Sequence, residues 1–238
     1  MNRRQASIVL AGLAGLPAAR AQKAEAQTYP LERFDIIEIS GSATVRFRLG
    51  ASEQIAVEGL DEAAVRELFE VRNGRLRIHS AGAWRFWEGR KVRVEVTARE
   101  LARLFISGAA DFSMAGPLRS QRLVIGISGA GSARFERVDV DSLTFDVSGS
   151  GDGQVAGTAR ELKVRITGRS EFDAEALRAE RGSVSISGVG DVRVWVVREL
   201  NIAVAGAGRV QYWGTPEVRR HVSGAATVNE RGPKADPP

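Results

Sequence analysis

The sequence predicts an all-β chain: a short parallel β-helix or β-solenoid of rungs about 20 residues long, with one short helix in the N-terminal half. Three observations carry this. A dipeptide recurs at a nearly fixed pitch: Ser107-Gly108, Ser128-Gly129, Ser148-Gly149, Thr167-Gly168, Ser187-Gly188, Ala205-Gly206 and Ser223-Gly224, with Gly-to-Gly steps of 21, 20, 19, 20, 18 and 18 residues. Apolar residues stand two and four places before each glycine: Leu104 and Ile106, Ile125 and Ile127, Phe145 and Val147, Val164 and Ile166, Val184 and Ile186, Ile202 and Val204. A second apolar pair follows four and six places after it, as in Phe112 and Met114, Val192 and Val194, Val210 and Tyr212. Period-2 alternation marks strands with one buried face, and a unit this short buries that face only against its neighbours.

Each unit is therefore strand, glycine corner, strand and turn. Glycine suits the corner because it accepts positive φ and lets backbones approach closely. The corner residues are Gly41, Gly108, Gly129, Gly149, Gly168, Gly188, Gly206 and Gly224. Stacked rungs put equivalent residues about 4.8 Å apart. Positions five and seven after the glycine, among them Arg193, Trp195, Gln211 and Trp213, form a mostly polar column expected to face water.

Residues 31–106 read as a less regular version of the design. Ser40-Gly41 is a further corner, and the 67 residues to Gly108 read as three rungs plus an insertion. Strands are expected at Gln54 to Glu58, Arg75 to His79 and Lys91 to Thr97. Between them, Leu60, Ala64 and Leu68 are spaced as a helix over Asp61 to Val71, with Asp61 as N-cap. Such a helix would cover an exposed end of the sheet. Asn73-Gly74 makes a tight turn between Val71 and Leu76.

Composition agrees with one folded domain: 238 residues, 43% hydrophobic, 26 glycines. Cysteine is absent, which excludes disulfides, thiolate chemistry and a lipobox. The pI near 10.2 is partly a leader effect. Arg3, Arg4 and Arg20 lie in residues 1–21, and without them the formal charge falls from +5 to +2. The remaining basic residues are scattered among acids, so nucleic acid is not an expected partner. A basic n-region, an apolar stretch from Ala6 to Ala19 and Ala19-Arg20-Ala21 read as an export signal over 1–21, too short and Gly/Ala-rich to span a membrane well. Arg3-Arg4 also fits the twin-arginine route. Residues 22–30 read as a linker, 31–230 as the solenoid and 231–238 as a disordered tail. The mature chain is expected to be periplasmic, secreted or at the cell surface, with no transmembrane segment.

The repeated strand, Ser-Gly corner and strand follow an opening Phe34-Asp35-Ile36-Ile37-Glu38-Ile39-Ser40-Gly41. Val71-x-Asn73-Gly74-x-Leu76-x-Ile78 and Leu101-Ala102-Arg103-Leu104 come next in order. Over about residues 31–228 the chain resembles the GIN domain, the head domain of auto-transporter adhesins. That resemblance implies a β-rich, exported, non-enzymatic protein of the cell envelope, and it carries over no site residues.

Chemistry-bearing candidates are few. His79 and His221 lack ligand or triad spacing and read as surface strand positions. Gly149-x-Gly151-x-Gly153 has no following helix, so it is a corner and not a phosphate loop. Asp152, Glu171 and Asp191, three places after their glycines, should stack on consecutive rungs. They would serve as a cation site suited to calcium, as a carboxylate pair at the roughly 5 Å spacing of retaining glycosidases, or simply as turn formers. Trp195 and Trp213 share an outward column and would offer stacked rings to a glycan or protein, or else pack under the C-terminal tail. Trp84 and Trp87, in Trp84-Arg85-Phe86-Trp87, form a second aromatic cluster for anchoring or binding. Two functions follow: a non-enzymatic adhesin-like module binding glycan or protein through a flat solenoid face, with no cofactor beyond a possible calcium ion, or a polysaccharide lyase or hydrolase using the stacked carboxylates. Short turns between rungs leave little to build a catalytic cleft, which favours the first.

Overall fold

The computed structural model describes residues 27–57, 65, 67–79 and 92–235. Its strands in chain order are β1 (Gln27–Pro30), β2 (Ile36–Ser40), β3 (Ala43–Leu49), β4 (Gln54–Val57), β5 (Phe69–Arg72), β6 (Arg75–His79), β7 (Val92–Ala98), β8 (Arg103–Ile106), β9 (Asp111–Ile127), β10 (Ser132–Val147), β11 (Asp152–Ile166), β12 (Arg169–Ile186), β13 (Val189–Val204), β14 (Ala207–Trp213), β15 (Glu217–Val222) and β16 (Ala225–Glu230). From β8 onward, like strands of successive rungs pair in parallel, as the repeat requires.

The glycine corners form an unbroken stack, and close approach is the reason. A Cβ on Gly108, Gly129, Gly149, Gly168, Gly188, Gly206 or Gly224 would lie only 1.9–2.2 Å from the carbonyl oxygen of the corner glycine before it. Among these corners only Gly41 has positive φ, 104°. Above the last rung the columns flanking the corner are buried, with Leu104, Ile125, Phe145 and Val194 all at 0% exposure. Phe47, Phe112 and Phe135 stack at 6.0 and 5.4 Å, and Phe145 lies 4.3 Å from Phe172. Gly153 stands in an inward column because Phe145 and Phe172 fill its space: a Cβ there would come within 2.4 Å of the Phe145 ring.

The front half departs from the expectation. β2 and β3 pair directly with β8 and β9, so the Gly41 rung stacks on the Gly108 rung with nothing between. The intervening residues do not form three rungs in sequence. β6 and β7 pair in parallel with the outer sides of β2 and β3 and make one rung stacked out of chain order. Antiparallel strands finish this end: β5 on β6, and β4 then β1 on β7. Within the predicted helix, Val65, Glu67 and Leu68 are helical; Leu60, Asp61 and Ala64 lie outside the described residues. The helix stops at Leu68, because Phe69–Arg72 is a strand of the Asn73-Gly74 hairpin, whose turn has φ of 52° and 72°. Gln27–Pro30, expected as linker, is strand β1, so the ordered domain begins before residue 31. The export segment 1–21 lies outside the described residues.

The other end is finished by charge. Arg220 pairs with Ile202 and Glu230 with Tyr212, so both stand in columns that are apolar in the rungs above. Tyr212 Oη donates to Glu230 Oε2 at 3.2 Å. Inward-pointing charge on a terminal strand opposes further strand addition.

Candidate functional site

The tryptophan pair is not an open platform. Trp195 and Trp213 are in register on adjacent rungs, as expected, but Trp195 is only 2% exposed. The expectation that this column faces water fails here because the C-terminal residues return over it. Arg231 N–H donates to the Tyr212 carbonyl at 2.8 Å, and Gly214 N–H to the Gly232 carbonyl at 3.0 Å. Lys234 Nζ then sits 5.6 Å from the Trp195 ring centre and 5.4 Å from that of Trp213. Residues 231–235 are thus docked on the solenoid and not part of the disordered tail expected over 231–238; residues 236–238 lie outside the described residues. Trp84 and Trp87 lie outside the described residues. So does the rest of 80–91.

The carboxylate column exists but is internally satisfied. Ser132, Asp152, Glu171, Asp191 and Arg209 are successive partners across rungs. Asp152 Oδ1 accepts the Glu171 backbone N–H at 2.9 Å. Glu171 lies 2.9 Å from Arg193 Nη1, which also reaches Asp173 at 3.3 Å, and Asp191 lies 3.8 Å from Arg209. Among the described residues no group of three or more His, Asp or Glu side chains is placed to hold a metal. Arginines of neighbouring rungs supply the positive charge for which the sequence reading invoked calcium. A shallow groove of about 240 Å³ crosses this face beside Arg134, Asp152, Gln154 and Asp173.

The opposite face of the corner holds a feature not singled out in the sequence. The residues just before each corner glycine form a hydroxyl column: Ser40, Ser107, Ser128, Ser148, Thr167, Ser187 and Ser223, broken by Ala205. Several hydroxyls donate to the carbonyl of the rung before, such as Ser107 to Ile39 at 3.3 Å and Thr167 to Val147 at 3.2 Å. Two residues further out runs the column Arg77, Glu38, Phe105, Gly126, Asp146, Arg165, Ser185, Ala203, His221. Phe105 is its one aromatic member. Its ring overlies Gly126, where a Cβ would come within 2.8 Å of Cδ1.

Two clefts flank the half-buried Phe105. One, of about 270 Å³, is lined by Ser107, Val124, Gly126, Thr144, Asp146 and Ser148, and the other, of about 360 Å³, by Glu38, Ser40, Arg77, His79 and Ser107. Their polar groups are held in place. Glu38 is paired with Arg75 and, at 3.2 Å, with Arg77; Asp146 lies 2.7 Å from Arg165; His79 Nδ1 is 3.1 Å from Ser40 Oγ. An outward ring amid fixed donors and acceptors offers stacking and hydrogen bonding together. The alternation that put Leu104 and Ile106 in the core placed Phe105 outside, so the signal was present.

A short parallel β-solenoid with a stacked glycine corner, a hydroxyl column beside it and charged or antiparallel ends is a recognisable class of domain. Residues 33–216 match the family described as "Putative auto-transporter adhesin, head GIN domain", and the chain belongs to that family. Among solved structures, a "putative adhesin" from Bacteroides fragilis superposes with a TM-score of 0.77 at 20% identity, covering 89% of this chain and 98% of that one. A "putative lipid binding protein" from Parabacteroides distasonis gives 0.64 at 18% identity, covering 88% and 97%. A "putative adhesin" from Parabacteroides merdae gives 0.61 at 18%, covering 88% and 97%. At these identities the likeness is one of fold. No curated protein matches the chain.

Proposed function

We propose that this chain is a non-enzymatic, adhesin-like module of the cell envelope that binds a glycan through the serine-lined face, with Phe105 as the stacking ring. The observation that carries the reading is Phe105 itself. It is an outward aromatic ring between two clefts of oriented hydroxyl and charged groups, in a column otherwise of charged, polar and small side chains. The family and the adhesin-named structural relatives support an adhesin-like role and an exported location. The export-like residues 1–21 support the periplasm or cell surface. Among the described residues no helix is long and apolar enough to cross a membrane. Against a pair of free catalytic carboxylates stands the contact of Glu171 with Arg193 and of Asp191 with Arg209.

The test is binding of the purified chain to cell-wall and capsular glycans. Phe105→Ala is expected to lose about tenfold or more in affinity, the value of one stacked ring, with unchanged thermal unfolding. Asp152→Asn with Asp191→Asn should leave binding intact and expose no lost hydrolysis. Full glycan binding by the Phe105 variant would overturn the placement of the site.

A further inference from the structure

The seventh positions after Gly168, Gly188, Gly206 and Gly224 are Glu175, Trp195, Trp213 and Arg231; Glu175 lies in the register shift that follows Ala174, where Trp195 pairs with Arg178, and Trp195 and Trp213 share one column in register. Lys234 reaches back along that column. Its Nζ lies within 5.6 Å of both indole centres and donates to the Glu175 carbonyl oxygen and to Glu175 Oε1, each at 3.0 Å. Two π faces, a carboxylate and a carbonyl around one ammonium make a cation cage.

Two further observations separate this from ordinary tail packing. Trp195 is 2% exposed, yet its buried Nε1 has no hydrogen-bond partner among the described residues. A buried indole normally finds one, so this ring is held for its face at the expense of its N–H. The occupant, by contrast, is partly open to solvent. The side chains of Lys234 and Glu175 remain 31% and 41% exposed, and past Arg231 the backbone of the described residues is tied to the solenoid by Gly214 N–H donating to the Gly232 carbonyl.

We propose that Glu175, Trp195 and Trp213 form a receptor for an alkylammonium group, filled in cis by Lys234 and open to an external amine when the tail lifts. The ligand class is a primary or quaternary ammonium on a flexible stem. It enters on the same terms as the lysine it replaces: charge against Glu175 and N–CH groups against the rings. The tail competes with it, so the intact chain binds with an affinity reduced by the fraction of time the cage stands empty. This site is separate from the Phe105 face, and either can fail without the other.

The experiment is a titration of the full chain and of Lys234→Ala with tetramethylammonium chloride, followed by tryptophan emission and matched with sodium chloride for ionic strength. The variant is expected to give a saturable change at concentrations roughly tenfold below those the wild type needs. The change should vanish when Glu175→Gln is added. Choline and Nα-acetyl-lysine amide, titrated in parallel, distinguish a quaternary head group from a peptide amine. If Lys234→Ala melts too early to titrate, Lys234→Met keeps the stem over the rings while removing the charge. A folded variant with no saturable response would overturn the proposal, as would a response indifferent to Glu175→Gln.

Discussion

Replacing Gly168 by alanine tests the corner stack most directly. The new Cβ would lie 1.9 Å from the Gly149 oxygen and 2.7 Å from the Ser148 oxygen, whereas real Cβ contacts essentially never fall below 3.0 Å. The offending atoms are backbone, so no rotamer change relieves them. The rungs must part by about 1 Å at the corner. Two backbone bonds bridge that gap, Thr167 N–H to the Val147 carbonyl at 2.8 Å and Arg169 N–H to the Gly149 carbonyl at 2.9 Å; the Thr167 hydroxyl adds a third at 3.2 Å. Stretched by about 1 Å, all three pass beyond hydrogen-bonding range. At about 1 kcal/mol net for each, and more for groups left buried, the loss is about 3–4 kcal/mol. Gly116→Ala is the control. Its φ is +91° with nothing within 4 Å of the added atom, so it pays only the left-handed backbone cost of about 1–2 kcal/mol. Urea unfolding followed by far-UV circular dichroism measures both. If Gly168→Ala lost no more stability than Gly116→Ala, the account of the corner as a contact-limited stack would be wrong.

Two further outcomes are expected. Burial pushes the Tyr212 phenol pKa up, aided by Glu230 and opposed by Arg220. The folded state therefore holds this proton more tightly than the unfolded chain. The resulting stability is complete below the unfolded value near pH 10 and declines as pH rises toward the folded one. Tyr212→Phe should flatten that alkaline decline in melting temperature, and a wild-type slope would refute the assignment. The second concerns the charged end. Arg220→Ile with Glu230→Val should turn the last rung into one like those above it and drive concentration-dependent self-association, read by sedimentation; a strictly monomeric variant would remove these charges from the account.

The corner and core columns were legible because their cause is local and repeats. Each glycine answers to the backbone one rung away, and each apolar pair to the pleat of its own strand. Trp195 stayed open between a platform and packing under the C-terminal tail, for the opposite reason. Its column does point outward, and only the return of Lys234, nearly forty residues later, decides that the ring is covered. The order of the first rungs was illegible on similar grounds. No local pattern says that β6 and β7 stack outside β2 and β3, since either arrangement leaves Leu76, Ile78, Val94 and Val96 buried. Asp152, Glu171 and Asp191 do follow one another across rungs, but Glu171 is answered by Arg193 from a column read merely as polar, and Asp191 by Arg209 of the carboxylate column itself. Phe105 lay in plain alternation between two core residues and asked only to be weighed with its column.

Every register irregularity along β9 to β13 falls away from the glycine corner, between Phe135 and Val138, Gln154 and Gly157, Ala174 and Arg178, or Ala179 and Arg181. The corner side keeps strict count while rungs range from 18 to 21 residues. Such a chain has one edge that behaves as a ruler and another that behaves as a hem. Residues can be let in or taken out at the hem without moving a single hydroxyl along the ruled edge. Inheritance in this lineage can therefore experiment with rung length, or copy whole rungs, while the pitch of whatever the serine face reads stays fixed.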